Sequence, residues 1–488
     1  MKNNLIKISI LAIVLFSCKK GFLDVNKTPN NPLSVPPSVM LPNTTIGMAF
    51  ANANDLNRAA SVLVQHTAGA ANQVFSYDIF NLDGAFDNNW NGEIYNGTMN
   101  NLQVLIDQQS ATSPAYSGIA KLQMAYTYSM ATDLWGDIPF SQAAQGLKFE
   151  TPRFDKVEDI YQGNSALGVR SLFDLVRSGL ADIANTSSLL KPGVKDDLVY
   201  GGDLTKWTRM GNTLLLKFAI MLTNKNPVLA KSTINAVITG NNFINANNLD
   251  FEVPFGSAVG NRNPIFDFNN NLRTGDQLLS SRLYALSKSL NDTVRLAKFF
   301  TKPVNVNNSF TAFNNGSGAA PPALTARSKY NNYLTGTIGG EAPIRLLTNF
   351  QVNFILSEAA LVLGTTGDPN VYYQAGITAS MQKVGMTAAE ITAYFTANPT
   401  IVNLTGTNAD KLNQIITQKY IAWIGNGIEA YDDYRRTGYP VLALPLNSAG
   451  DNPNVIPTRL PYTPNELARN PNAPNPRPKT DVKLWWAL

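Results

Sequence analysis

Apolar residues recur at helical spacing in segment after segment of this chain, and strand signals are few. That pattern most limits what the chain can become, because an amphipathic helix must bury its stripe against another element. Asp155 and Glu158 read as a capping box ahead of Leu172, Phe173, Val176, Leu180 and Ile183. Asp203 reads as the cap of a helix carrying Trp207, Met210, Leu214, Phe218 and Met221 on one side. A third helix begins near Thr348, carries Phe350, Phe354, Ala359 and Leu361, and stops at Gly364. A fourth runs from Asp410 through Leu412, Ile415, Ile416, Lys419 and Trp423 towards Gly425. Helices near 56–70, 92–108 and 115–134 fit the same scheme. Only Phe251–Val253 and Ile344–Leu347 look like strands.

The long polar segments 72–90, 224–275 and 301–345 lie between these stripes and are read as an elaborated loop face, since loops of that length usually serve function. A chain of 488 residues has room for two to four domains. Nothing divides this one cleanly, so a single, mostly helical domain is expected over residues 38–488. Paired helices suggest a tetratricopeptide-like scaffold, although no clean 34-residue signature is present.

The N-terminus reads as an address. Lys2 and Lys7 precede an apolar run, Ile8 to Phe16, which ends at Ser17-Cys18. The run is far shorter than the ~20 residues that cross a bilayer. Leu15-Phe16-Ser17-Cys18 resembles a bacterial lipobox, with Phe16 bulkier than usual. Residues 1–17 are therefore read as a lipoprotein signal peptide, Cys18 as the lipidated residue, and 18–37 as an Asn/Pro-rich tether. An incidental thiol after an ordinary secretory peptide is the alternative, and Cys18 being the sole cysteine argues against it. Acyl chains contribute about 0.8 kcal/mol per buried CH₂, enough in combination for durable attachment to outer-membrane lipid. A lone cysteine also rules out a disulfide framework and thiolate metal clusters in the mature body.

Charge points away from nucleic acid. The formal balance is +5, falling to +3 without Lys2 and Lys7, charged residues are 15% of the chain, and no basic run occurs. Polarity comes from Asn, Gln, Ser and Thr beside aromatic rings, a pairing suited to sugars: rings stack on C–H faces and amides pair with hydroxyls.

Several strings, taken in order, resemble the SusD/RagB family of surface nutrient-binding lipoproteins of Bacteroidetes. "FLDVNKTPNNP" follows Cys18, "DLWGDIPFSQA" spans Asp133 to Ala143, and "KWTRMGNTLLLKFAI" starts at Lys206. "NDTVRLAKFF" starts at Asn291, "FQVNFILSEAALVLG" at Phe350, and "IITQKYIAWIGNGIEAYDDYRRTGYP" ends at Pro440. "RLPYTPNELARNPN" follows, and "KLWWAL" closes the chain. The likeness covers essentially the whole mature chain and leans to the branch carrying "RRTGYP". It implies a SusD-like helical fold with tetratricopeptide-like pairs and long irregular loops. It also implies an outer-membrane location facing the exterior and a SusC-like TonB-dependent transporter as partner. The ligand would be an oligosaccharide, or a peptide on the RagB side of the family, and no cofactor is expected.

Most motif residues read as structural. Gly136 permits a turn in "LWGDIPF", and Asp133 and Asp137 are expected to bond nearby backbone amides. Glu358, on an apolar helix face, is expected to pair with Arg345. Asp432 with Arg435 and Arg436 has the spacing of a helix-end ion network. The sharper alternatives are a catalytic Asp133/Asp137 pair and an anion grip by Arg435 and Arg436. His66, the only histidine, sits in an apolar helical context and reads as a packed residue. Neither a nucleophile elbow nor metal-ligand spacing is present, so no catalytic or metal residue is assigned; a glycosidase, needing only two carboxylates, is the remaining enzymatic alternative.

Ligand contacts are therefore sought on the loops. The 72–90 stretch offers Asn72, Gln73, Phe75, Tyr77 and Phe80, with Phe86 nearby. Trp90, with Tyr95, is read as the start of a helix packed in the core. A second cluster holds Phe313, Asn314, Tyr330, Asn331 and Tyr333, with Arg327 and Lys329 close by.

Overall fold

The computed structural model describes residues 35–488. The signal peptide, Cys18 and the tether as far as residue 34 lie outside the described residues. From Pro37 onward the body is built from helices that fold back on one another through short turns. Asn100–Gln109 pairs with Pro114–Trp135, Leu204–Met221 with Pro227–Gly240, Asn349–Val362 with Pro369–Lys383, and Asn408–Ala422 with Gly427–Thr437. Connections of a few residues force such neighbours antiparallel, so each pair buries one shared apolar seam. This is the helix pairing that the stripes imply, within a single mostly helical domain.

Capping explains where the helices begin. The Asp203 carboxylate accepts from the backbone N–H groups of Thr205 and Lys206, and the Thr348 hydroxyl accepts from Gln351. Thr407 and Asp410 form a reciprocal capping box, which moves the fourth helix start to Asn408. The expected Asp155–Glu158 box does not form. Asp155 is claimed instead by the backbone N–H of Ser141 at 2.6 Å and by Arg153 at 2.7 Å. A short helix, Val157–Gln162, follows without a side-chain cap, and the striped helix starts only at Leu172, capped by Ser171.

Two helices approach closely where side chains are absent. A Cβ on Gly118 would lie 2.6 Å from the carbonyl oxygen of Gly179, so Pro114–Trp135 and Leu172–Ala184 cross almost backbone to backbone.

Three two-stranded antiparallel ribbons occur among the described residues. β1 (Thr67–Gly69) pairs with β5 (Gln277–Leu279), β2 (Ile138–Pro139) with β3 (Phe154–Asp155), and β4 (Phe251–Val253) with β6 (Ile344–Leu347). The two strands expected from sequence are thus partners, Phe251 opposite Leu347. β1 shortens the helix expected at 56–70, which ends at Leu63. Gln65 turns the chain with φ +62°, and its amide donates to the carbonyl of Ala443 at 2.5 Å. The expected loop segments are also partly regular. Asn72–Asp78 is helical, Asn88–Met99 is a π-helix running into Asn100–Gln109, and Pro227–Gly240 lies inside 224–275.

One large core runs through these layers. Trp90, Trp135, Trp207, Trp423 and Trp486 are fully buried, leaving only Trp485 of the six tryptophans partly exposed. Any aromatic surface platform must therefore come mainly from Phe and Tyr.

The core also holds a network of buried charges. Lys217 binds both oxygens of Glu429 at 2.6 and 2.7 Å, and Gln351 donates to Glu429 at 2.7 Å. Arg435 binds Asp432 at 2.5 Å and donates to the carbonyl of Asp133. Arg436 grips Glu358 through two bonds, one of 2.8 Å, and reaches Asp433 at 2.9 Å, which also holds Lys419. Burial first, and Asp432 second, hold the Asp133 carboxyl well above the usual carboxylate range.

This network corrects two expectations, excludes one alternative, and forms the expected helix-end ion pair between Asp432 and Arg435. Glu358 pairs with Arg436 and not with Arg345, whose guanidinium lies 3.6 Å over the Tyr333 ring and 3.5 Å from Glu252. The Asp133 carboxylate takes the Tyr161 hydroxyl at 2.9 and 3.0 Å in place of backbone amides. Arg435 and Arg436, 5% and 1% exposed, are too deep to grip a ligand. Asp137 does accept the backbone N–H of Val157 at 3.0 Å, and Gly136 makes its turn with φ +90°.

Candidate functional site

The first polar cluster singled out in the sequence meets the segment just after Phe313 and Asn314 of the second at Asp78, the last residue of the Asn72–Asp78 helix. Its carboxylate accepts the backbone N–H of Gly69 at 2.8 Å, the Asn315 amide at 2.7 Å and the backbone N–H of Gly316 at 2.9 Å. Burial pushes its pKa up to about 7, against the opposing pull of Asn315, Gly316 and Gly69. The Asn315 amide donates also to the Thr67 carbonyl at 2.9 Å, and its oxygen accepts the Ser280 hydroxyl at 2.6 Å. One side chain thus ties β1, the 72–78 helix and the start of the Ser281–Ser289 helix together.

A fourth segment, 443–450, closes the junction. The backbone N–H of Leu446 donates to the Asn315 carbonyl at 2.9 Å, and the Asn447 amide to the Gly316 carbonyl at 2.7 Å. The backbone N–H of Ala449 donates to the Ile79 carbonyl at 2.7 Å. On the near side, the Asn72 amide bonds both carboxylate oxygens of Asp276 at 3.1 and 3.0 Å. Four segments distant in sequence are locked into one loop face by buried polar bonds, which hold geometry well when fully satisfied.

The elements joined here expose Asn72, Gln73, Asn314 and Leu446, with Phe75 half-buried among them. Amide donors and acceptors beside a ring and an aliphatic side chain can hydrogen-bond hydroxyls and cover C–H surface together.

The other sequence candidates lie deeper. Tyr77 is buried, its hydroxyl bonded to Asp55 at 2.8 Å and its ring stacked 5.3 Å from Phe86. Phe80 is buried in the main core, and Phe313 packs with Ala68 and Leu278 beneath β1 and β5. These three rings pin the loops from below, so the alternation of rings and amides that marked them as contacts is in part core patterning. Tyr330 lies against Phe300 at 5.1 Å, and Tyr333 is enclosed between Arg345 and Phe299. Both are partly covered and neither belongs to the Asp78 junction. Trp90 packs edge-on against Trp135 at 5.1 Å.

Asp78, Asn315 and Asp276 organise the face without having been singled out in the sequence. The available signal was an acid set directly between apolar residues in "SYDIF", a placement that demands buried partners.

Catalytic groups do not converge on this face. His66 is fully buried, its Nε2 2.9 Å from the Tyr420 carbonyl, and burial pushes its pKa down to about 3. It is a neutral, enclosed side chain. Among the described residues no cluster of three His, Cys, Asp or Glu is placed to hold a metal ion, and no helix is long and apolar enough to cross a membrane.

Among known proteins, a SusD-like family model described as "Starch-binding associating with outer membrane" matches residues 29–463. No curated protein matches the chain. A solved structure described as a chitin-binding protein superposes with a TM-score of 0.78 at 24% identity, over 93% of this chain and all of its own. A chitin-binding SusD homologue from Flavobacterium johnsoniae gives 0.74 at 21% identity, covering 93% and 97%. A SusD homologue from Bacteroides fragilis gives 0.76 at 20% identity, covering 93% and 100%. At such identities the likeness is one of fold.

Proposed function

The chain belongs to the SusD-like family, and from that premise we propose that it is a non-enzymatic surface lipoprotein that binds oligosaccharides. Bound glycan would pass to a SusC-like TonB-dependent transporter in the outer membrane, with Cys18 as the lipid anchor. The observation that carries the reading is the Asp78–Asn315 junction: it holds Asn72, Gln73, Phe75 and Asn314 on one rigid set of loops, as a hydroxyl-rich ligand requires. Support comes from the family description as starch-binding and from two structural relatives described as chitin-binding.

A glycan array probed with residues 35–488, followed by product analysis of every bound glycan, tests the proposal. Binding without release of smaller sugars is expected. Glycan turnover lost on replacing one acid would replace it with the hydrolase reading, and capture of peptides in place of glycans with a RagB-like one. Membrane extracts should yield a TonB-dependent barrel with the protein, and Cys18→Ala should release it from the membrane.

A further inference from the structure

A second concave site lies on the helical body and shares no residue with the loop face. Its volume is about 380 Å³, within the range of small-molecule sites. The Asn100–Gln109, Pro114–Trp135 and Leu172–Ala184 helices supply Ile106, Met124, Tyr128 and Leu175, and the segment after β2 supplies Phe140 and Gln145.

Two polar groups there are unused. Tyr128 is 4% exposed, its ring packed edge-on against Phe140 at 4.7 Å, yet among the described residues its hydroxyl has no hydrogen-bond partner. Burial also raises its pKa, so the group remains an O–H donor at neutral pH. Arg170 lines the same cleft, is exposed, and makes no ion pair or hydrogen bond among the described residues. The other cation, Lys121, is already neutralised by Asp182 at 2.6 Å. A smaller cleft that meets this one at Ala143 carries Glu150 and Glu466, so negative charge on a ligand is favoured only by Arg170.

We infer that this cleft is a second binding site, for an acidic sugar of one or two rings. Arg170 takes its carboxylate and the Tyr128 hydroxyl donates to a ring or hydroxyl oxygen. The apolar walls cover the C–H face of the sugar, and the Gln145 side-chain oxygen is left to accept, since its amide nitrogen is bonded to the Ser141 carbonyl at 2.7 Å. A guanidinium gives a carboxylate two parallel bonds, which makes the site selective for the acid over its neutral ester.

Calorimetric titration of the full chain with digalacturonate, and with its dimethyl ester, tests this. The acid is expected to bind at least tenfold more tightly than the ester. Arg170→Gln should remove that preference, and Tyr128→Phe, which keeps the ring packing, should weaken the acid about tenfold. Phe75→Ala on the loop face should leave the acid unaffected. No binding of the acid, equal affinity for acid and ester, or sensitivity to Phe75→Ala with indifference to Arg170→Gln would each overturn the inference. The outcome is independent of what the loop face binds.

Discussion

Replacing Glu358 by Ala strands a deeply enclosed cation. Glu358 and Arg436 are each 1% exposed and joined by two bonds, so removing the acid leaves a guanidinium that water cannot reach. Breaking a buried pair from one side costs about 3–5 kcal/mol. Arg436 keeps Asp433 at 2.9 Å, and Asp433 must then serve both Arg436 and Lys419. That residual partner places the expected loss near the low end, about 3 kcal/mol. Urea unfolding followed by circular dichroism at pH 7 reads the change as a lowered midpoint at unchanged slope. Adding Arg436→Met should restore much of the loss, because the unpaired charge is gone. A double-mutant cycle supplies the control: Glu358 should couple to Arg436 and not to Arg345, with which it shares no partner. A loss below 1 kcal/mol, or coupling to Arg345 alone, would refute the reasoning.

Removing the Phe75 ring should weaken glycan binding by about 1 kcal/mol, roughly fivefold, with little change in melting temperature; equal affinity in titrations of the two proteins would remove Phe75 from the site. The folded-state pKa of His66, about 3, lies below its ordinary 6.5, so its contribution to stability is full above pH 6.5 and is lost as pH falls towards 3. The stability gap between wild type and His66→Gln should shrink between pH 7 and 4, and the imidazole NMR signals should not titrate from pH 5 to 8. Asp78 runs the other way. Its folded pKa of about 7 exceeds the usual 3.8, so its contribution is full below pH 4 and is lost as pH rises through 7; wild type should lose stability over that range relative to Asp78→Asn.

Helices were legible because each is decided locally. Asp203 and Thr348 cap where their spacing says, and the stripe from Trp207 to Met221 is buried throughout. Even β4 and β6 announced themselves by short apolar runs. What sequence could not supply was pairing at long range. The sequence pointed Glu358 to Arg345, and only the packing of Asn349–Val362 against its neighbours chooses Arg436, 78 residues away. The loop face failed in the same way. Phe75, Tyr77 and Phe80 look alike in sequence, but the helix half-exposes Phe75 and buries Tyr77, and the turn after it, with φ +70° at Phe80, buries that ring. Asp78 joins partners 237 residues apart, a relation no local pattern carries.

Several bonds that close the N-terminal part of the body come from the far end of the chain. Asn57 donates to the Gly425 carbonyl, His66 meets the Tyr420 carbonyl, Gln65 donates to Ala443, and the Trp135 indole donates to Pro461. Each spans more than 320 residues. A chain emerging from the ribosome therefore carries a half-built body for most of its synthesis, with its first helices waiting for their last partners. Closing contacts so distant is slow, because the intervening chain must be ordered first. Closure of the Asp78 junction is then a late event, and a product ending before residue 440 lacks the bonds from Leu446, Asn447 and Ala449 that complete it.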